Sequence, residues 1–350
     1  PDYFIQGTEH DLASAPQNYT RVKRREGDLI FAYGRDPYFA GWPDTLQLNY
    51  SNPGLQEAMI GELLNIARQC DGVRCDMAML VLPEVFERTW GQPAPLFWPR
   101  ATQCVREHVP GFLFMAEVYW DLEWTLQQQG FNYAYDKRLY DRLREGYARP
   151  VREHPRAEPA YQDRLARFLE NHDEPRAAAT FTCEVHQAAA VITYLSPGLR
   201  FFHKGQFEGR KKRISPHLVR GPHEPVDETL QLFYHRLLAV LQLPVVRDGQ
   251  WQLLDCTPGW DGNETHDDIV VSFWRGAQGD SLVVAVNFAP HRSQCHVRLP
   301  FPELADGKWR LQDQLSADSY EWNGDDLRGN GLFLDMSGWQ AAAYALLRGD

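Results

Sequence analysis

Between Asn52 and Leu243, short apolar runs alternate with stretches of helical period, and no other feature restricts the fold so tightly. Asn52-Pro53 opens the series, because Asn suits an N-cap and Pro the first helical position. Leu55, Met59, Leu63, Ile66 and Cys70 then recur at steps of 4, 4, 3 and 4, which predicts one apolar helical face. Asp71-Gly72 ends that helix, and residues 73–82 read as a buried strand with its exit loop. Further strands are expected at 112–118, 131–135, 168–171 and 199–203. Helices are expected around 100–108, 122–129, 188–195 and 226–243, with a long amphipathic stretch through Leu139, Leu143 and Tyr147. Helix alternating with buried strand means parallel βα units, and five strands can be counted.

After Pro244 the pattern changes to short strands between Gly, Asn and Asp turns: 251–254, 269–274, 282–288, 296–299, 309–311, 332–336 and 342–347. That pattern predicts an antiparallel β-sandwich domain. Residues 1–50 hold no sustained period and mix Gly and Pro with many aromatics, so they read as an irregular excursion with a short strand near 29–33. The expected organisation is residues 1–50, 51–245 and 246–350.

Composition narrows the function classes. The chain is 43% hydrophobic and 24% charged, a globular balance. Its formal charge of −11 speaks against a general nucleic-acid or anionic-membrane surface. No stretch approaches ~18 consecutive apolar residues, so no membrane-spanning helix is expected. The six cysteines are scattered without a C-x-x-C pair, which disfavours zinc and dithiol redox sites and favours buried free thiols in a reducing cytoplasm over secretion. The chain opens on Pro1 with neither Met nor signal peptide, and reads as a cut end.

Three carboxylates close predicted strands, where α/β folds collect their chemistry. In Gly72-Val73-Arg74-Cys75-Asp76, alternation puts Arg74 and Asp76 on one face, and the guanidinium would keep Asp76 ionised. The alternative is a purely structural ion pair. Glu117 ends the apolar run Phe112–Ala116 beside Tyr119 and Trp120, where desolvation would raise its pKa and suit it to donate a proton near neutrality. The alternative is a strand-end Glu reaching water. In Asn171-His172-Asp173-Glu174-Pro175-Arg176, a His beside a carboxylate could hold a sugar hydroxyl; the alternative is a polar capping turn.

Taken together and in order, Gly72–Asp76, Ala116-Glu117-Val118 and Asn171-His172-Asp173 resemble the motifs of the α-amylase family, glycoside hydrolase family 13. The resemblance runs from about Gln47 through Gln206, and residues after 246 look like that family's C-terminal domain. It implies a (β/α)8 TIM barrel, of which strands four to eight are visible, acting on α-glucosidic bonds with retention. By position, Asp76 would be the nucleophile, Glu117 the general acid/base and Asp173 the transition-state stabiliser. Arg74 and His172 would position substrate and carboxylates, and Tyr119, Trp120 and Trp42 would line the sugar cleft. Retaining glycosidases need two carboxyls about 5–5.5 Å apart and no cofactor for the chemistry.

The sequence also departs from that family. Its earliest motif, an Asp and an Asn-His pair at the third strand, has no counterpart. Met79-Leu80 stand where many α-amylases carry Lys-His, so a structural calcium is not supported and no metal ligand is assigned. These departures predict that an upstream segment must complete the barrel for activity. Three outcomes stay open: α-glycoside hydrolysis of oligo- or polysaccharides, transglycosylation by the same residues, and a non-catalytic sugar-binding relative or inactive fragment. Finally, Gly209-Arg210-Lys211-Lys212-Arg213 follows the last predicted strand. It reads either as a solvated loop or as a border of the cleft able to meet a phosphorylated sugar.

Overall fold

The computed structural model describes residues 1–215, 218–300, 304 and 307–349, and the chain divides into two compact units, Pro1–Tyr135 and Asp136–Asp350.

The first unit opens with a small antiparallel sheet, where the sequence suggests little regularity. Its strands are β1 (Gln6–Gly7), β2 (Tyr19–Val22), β3 (Leu29–Gly34) and β4 (Trp42–Leu46), with β3 paired to the other three. Only the strand at 29–33 was expected. The others are short and lack a clean two-residue alternation, so no local period marks them even where, as in β2–β3 and β3–β4, the paired strands are neighbours in the chain.

Parallel strands follow: β5 (Gly72–Cys75), β6 (Leu113–Ala116) and β7 (Tyr133–Tyr135). The helix Pro53–Ala67 precedes β5, with the Asn52 side chain accepting from Gly54 N at 2.8 Å. Leu55 and Leu63 of the predicted face are buried, joined by Gln56, Ile60 and Ala67; Met59 is half-buried, and Ile66 and Cys70 are exposed. The helix stops before Cys70. Gln56 tolerates burial because its amide donates to Tyr50 O at 2.9 Å.

In the second unit β8 (Leu165–Arg167) and β9 (Leu199–Arg200) are parallel. Both are shifted or shortened relative to the apolar runs that predicted them. Phe168, Leu169, Glu170 and Asn171 are buried beyond the end of β8, so hydrophobicity there marks core, not ladder.

Next come β10 (Gln250–Leu254), β11 (Cys256–Pro258), β12 (Ile269–Arg275), β13 (Ser281–Asn287), β14 (Ser293–Val297), β15 (Lys308–Asp313), β16 (Ser319–Asn323), β17 (Leu332–Met336) and β18 (Ala341–Arg348). They form a six-stranded sheet in the order β10-β12-β13-β18-β15-β16 and a three-stranded sheet β11-β14-β17. A core of Val271, Phe273, Val283, Cys295, Leu311, Leu334 and neighbours lies within this β domain. Strands β11 and β16 escaped the sequence reading, being short or polar. Helices Cys183–Tyr194 and Glu228–Leu241 share a second core with Val284, Val286 and Trp274, and Trp274 Nε1 donates to Leu195 O at 2.9 Å. All six cysteines are free, but Cys295 alone is fully buried and Cys70 is exposed.

One buried charge cluster makes a strong stability prediction. Asp136 accepts from Arg167, from Leu139 N at 3.1 Å and pairs with His154 Nε2 at 2.9 Å. Burial alone would push this carboxyl up, but attraction to His154 and Arg167 and the hydrogen bonds win and hold it well below the ordinary carboxylate range. A depressed pKa gives stability that is present above the unfolded carboxylate pKa, ~4, and lost as pH falls through the folded value. Asp136→Ala leaves the fully buried Arg167 uncompensated, with an expected loss of about 3–5 kcal/mol in urea unfolding. The loss should shrink as the pH is lowered below that of the free carboxylate, and a pH-independent loss would contradict the ion-pair account.

Candidate active site

Asp76 and Glu117 lie just beyond β5 and β6, and the parallel register aligns them. Cys75 pairs with Ala116, Glu117 N donates to Cys75 O at 3.0 Å, and Ala78 N donates to Glu117 O at 3.0 Å. One guanidinium joins the two acids. Arg74 Nη1 donates to Asp76 Oδ1, and Arg74 Nη2 lies 3.0 Å from Glu117 Oε1. Arg74 is itself held by the phenol of Tyr135, at the end of β7, with Nε to Oη at 3.3 Å. The alternation argument therefore placed Arg74 correctly beside Asp76, and the same Arg also reaches the second acid.

The two carboxyls live in opposite surroundings. The Asp76 side chain is 78% exposed and that of Glu117 only 4%. Burial is the largest influence on Glu117 and raises its pKa. Met77 N, Arg74 and the Tyr119 hydroxyl work in the other direction, and the negative charge of Asp76 adds to the rise. Met77 N donates to Glu117 Oε2 at 2.6 Å and Tyr119 Oη to Oε1 at 3.0 Å.

The loops that make these bonds are backbone-strained. Met77 has φ +41°, and Trp120 and Asp121 have φ +62° and +61°, left-handed values that non-glycine residues seldom adopt. Because Met is not a residue that favours this conformation, nothing in the sequence marks the Met77 amide as a donor. Tyr135 had a weak signal, an aromatic closing the next strand.

The predicted aromatics separate. Tyr119 touches Glu117. Trp120 instead meets Tyr38 edge to face, ring centroids 5.1 Å apart, with the Arg88 guanidinium over both rings at 5.3 and 6.0 Å. Tyr38 and Phe39 are exposed beside this group and were not singled out from sequence. Trp42 stands on β4, its ring near Gly34, where an added Cβ would be 3.5 Å away.

In the second unit, His172 Nε2 lies 3.0 Å from Asp173 Oδ2, both side chains partly exposed. The capping-turn reading of the same motif also holds: the buried Asn171 accepts from Asp173 N at 2.9 Å and Glu174 N at 2.8 Å. Behind it, the buried Glu170 accepts from Arg176 and from Ala177 N at 2.7 Å. Among the described residues, no group of three or more His, Cys, Asp or Glu is arranged to hold a metal ion, and no helix is long and apolar enough to cross a membrane.

Known proteins share part of this sequence and its fold. Residues 260–344 match the family described as alpha amylase, C-terminal all-beta domain. The whole chain superposes on a maltogenic α-amylase, AmyB, from Thermotoga neapolitana with a TM-score of 0.66 and 17% identity, covering 99% of this chain and 76% of that one. The chain has the fold of an α-amylase.

Its fold is that of the TIM-barrel amylases with a C-terminal all-β domain. A second structure, the acarbose complex of the α-amylase from Geobacillus thermoleovorans, matches with a TM-score of 0.67 and 19% identity over 91% of this chain and 72% of that one. In sequence, the α-amylase MalA of Haloarcula japonica is 25% identical over 261 residues, 72% of this chain. The chain spans 36% of the length of that curated relative.

Tyr119 offers a selective probe of Glu117. Its hydrogen bond lowers the Glu117 pKa, so Tyr119→Phe should raise it. If Glu117 must be protonated to act, the alkaline limb of kcat/KM against pH moves to higher pH in the variant. A limb that stays in place or moves down would remove Glu117 as the group being titrated.

Proposed function

We propose that this site cleaves α-glucosidic bonds of oligo- or polysaccharides with retention of configuration, through a covalent glycosyl-enzyme. The observation that carries the reading is the pair of carboxyls on one guanidinium, one buried with a raised pKa and the other solvent-exposed. Two carboxyls sharing one Arg suit the separation of about 5–5.5 Å that retention requires. The proton sits on the desolvated Glu117, and Arg74 keeps its charge beside both acids, its pKa raised above the ordinary Arg value against the opposing effect of burial.

In the first step Asp76 attacks the anomeric carbon while Glu117 gives its proton to the departing glycosidic oxygen. In the second, Glu117 takes a proton from water, the oxygen attacks the same carbon, and the Asp76 ester breaks. The resemblance of Asn171-His172-Asp173 to the α-amylase motif assigns Asp173 the role of transition-state stabiliser and His172 that of holding a sugar hydroxyl. Tyr119 and Trp120 lie on the loop after Glu117, suited to stack on sugar rings. The α-amylases and the acarbose-bound relative support this substrate class. Carboxylates suffice for every step, so no cofactor is assigned.

The test is proton NMR of maltooligosaccharide digests by the protein as it is naturally made. The anomer that appears first should be α, and a β product would overturn retention. Glucose and short fragments identify hydrolysis, whereas products longer than the substrate identify transglycosylation, in which a sugar hydroxyl replaces water in the second step.

A further inference from the structure

We infer that the loop Lys204–Arg213 is an oxyanion site beside Asp173, built to hold the phosphate group of a phosphorylated α-glucoside. The inference rests on the α-glucosidic reading for the sugar portion and on independent observations for the phosphate.

The charge distribution comes first. Of the ten residues 204–213, five are Lys or Arg and one, Glu208, is acidic, in a chain with 47 acidic and 36 basic side chains. With acids in that excess, exposed cations ordinarily find carboxylate partners, as Arg21, Arg292 and Arg156 do here. Yet Lys204, Arg210, Lys211, Lys212 and Arg213 make no ion pair among the described residues. Glu224, the acid nearest in the loop, accepts from the main-chain N–H groups of Lys211 and Lys212 at 2.9 and 3.2 Å and leaves their ammonium groups outward.

Position comes second. Arg213 Nε donates to the carbonyl of His172 at 3.4 Å, so the loop lies directly against the His172-Asp173 motif. Arg210 packs at Gly205. A Cβ at Gly205 would come within 2.6 Å of both Arg176 Nη2 and Arg210 Cδ, and Gly205 has φ +91°, so the glycine is what lets two arginines flank one point. Arg176 is neutralised by the buried Glu170 and also contacts His203 Nδ1 at 2.7 Å. Arg210 has no such acid, and its Nε is buried without a hydrogen-bond partner among the described residues. A desolvated guanidinium nitrogen left unpaired is costly unless a ligand oxygen completes it.

The base of the loop is preorganised. The buried Gln206 donates to Tyr194 Oη at 2.7 Å and Tyr234 Oη at 2.8 Å and accepts from His203 N at 3.2 Å. Gln206 N bonds back to His203 O and Arg210 N to Gly205 O, closing successive tight turns. A fixed fork of Arg donors with flanking Lys charges matches a tetrahedral phosphate better than a neutral hydroxyl.

Isothermal titration of the protein as it is naturally made, at low ionic strength, tests this with glucose, glucose 6-phosphate and inorganic phosphate. Glucose 6-phosphate should bind at least about tenfold more tightly than glucose, the gain expected of charge-assisted hydrogen bonds, and added salt should shrink that gain. Arg210→Gln with Arg213→Gln should abolish the ratio between the two sugars, and Arg210→Lys should keep part of it. A merely structural role would weaken both sugars alike. Inorganic phosphate binding as tightly as the ester identifies the free anion as occupant; binding much more weakly identifies the sugar ester. Equal affinity for glucose and glucose 6-phosphate in the unsubstituted protein overturns the site. Turnover of maltooligosaccharides with no phosphate preference would overturn this inference alone. A phosphate preference without any glycosidic turnover would sustain the anion site and overturn the proposed function.

Discussion

Asp76→Asn is expected to lower turnover of an α-glucoside by about 10⁴-fold or more, because an amide cannot form the glycosyl ester and no neighbouring group replaces it. The structure makes this an informative loss. Asp76 is exposed and bound chiefly by Arg74, so the substitution removes no core contact and thermal unfolding should change little. The role, not only the loss, can be read by chemical rescue. In Asp76→Ala, azide has room to enter from the vacated side and attack the anomeric carbon of an activated aryl α-glucoside. The product is then the β-glucosyl azide, of inverted configuration. Rescue by azide with the α-azide as product would show that attack came from the other face, and undiminished turnover in Asp76→Asn would remove Asp76 as nucleophile. Asp173 differs in kind. A variant there should stay unresponsive to azide, since a group that stabilises charge without bonding leaves no nucleophile's position to fill.

How much of this was legible in the sequence depends on the scale of the signal. The alternation of helix and strand survives as β5 to β9, although Arg74, Arg167 and Arg200 stand within β5, β8 and β9, so these ladders are not apolar throughout. Its ends were not legible at 168–171, where an apolar run continues as core after the ladder stops. The four strands within residues 1–50 were mostly hidden, since they are short and mix Gly, Pro and polar residues with aromatics, leaving no local period even where β2–β3 and β3–β4 join neighbours in the chain.

At the site, Arg74 and Asp76 could be paired from two-residue alternation, and the desolvation of Glu117 could be read from the apolar strand before it. Tyr38 and the Met77 amide could not, because each acts from an element or a backbone conformation that no short window encodes, and Tyr135 was marked only weakly, as an aromatic closing the next strand. Arg210 shows the same limit from the other side. Its charge was visible in the sequence, but only the packing around Gly205 shows that its Nε is buried and unpaired.

Glu117→Gln carries the second large effect, and its size should depend on the leaving group. A general acid contributes about 10²–10⁴-fold, and that contribution is needed only when the departing oxygen is basic. Turnover of maltooligosaccharides, which expel a sugar alkoxide, should therefore fall by about 10³-fold in the variant. Aryl glucosides with an acidic phenol should form the glycosyl-enzyme almost normally and then stall, because water lacks its base. Azide, which needs no base, should restart that second step and give the α-glucosyl azide, opposite in configuration to the Asp76→Ala product. The alkaline limb of the pH profile should vanish with the titrating carboxyl. The surroundings of Glu117 also explain how one group can serve both steps. The charge of Asp76 is one of the influences that raise its pKa, and esterification in the first step removes that charge. Met77 N, Arg74 and Tyr119 remain to lower it, which favours the ionised carboxylate that must accept the proton from water. Equal losses on both leaving-group classes, with no azide product, would assign Glu117 to scaffolding instead.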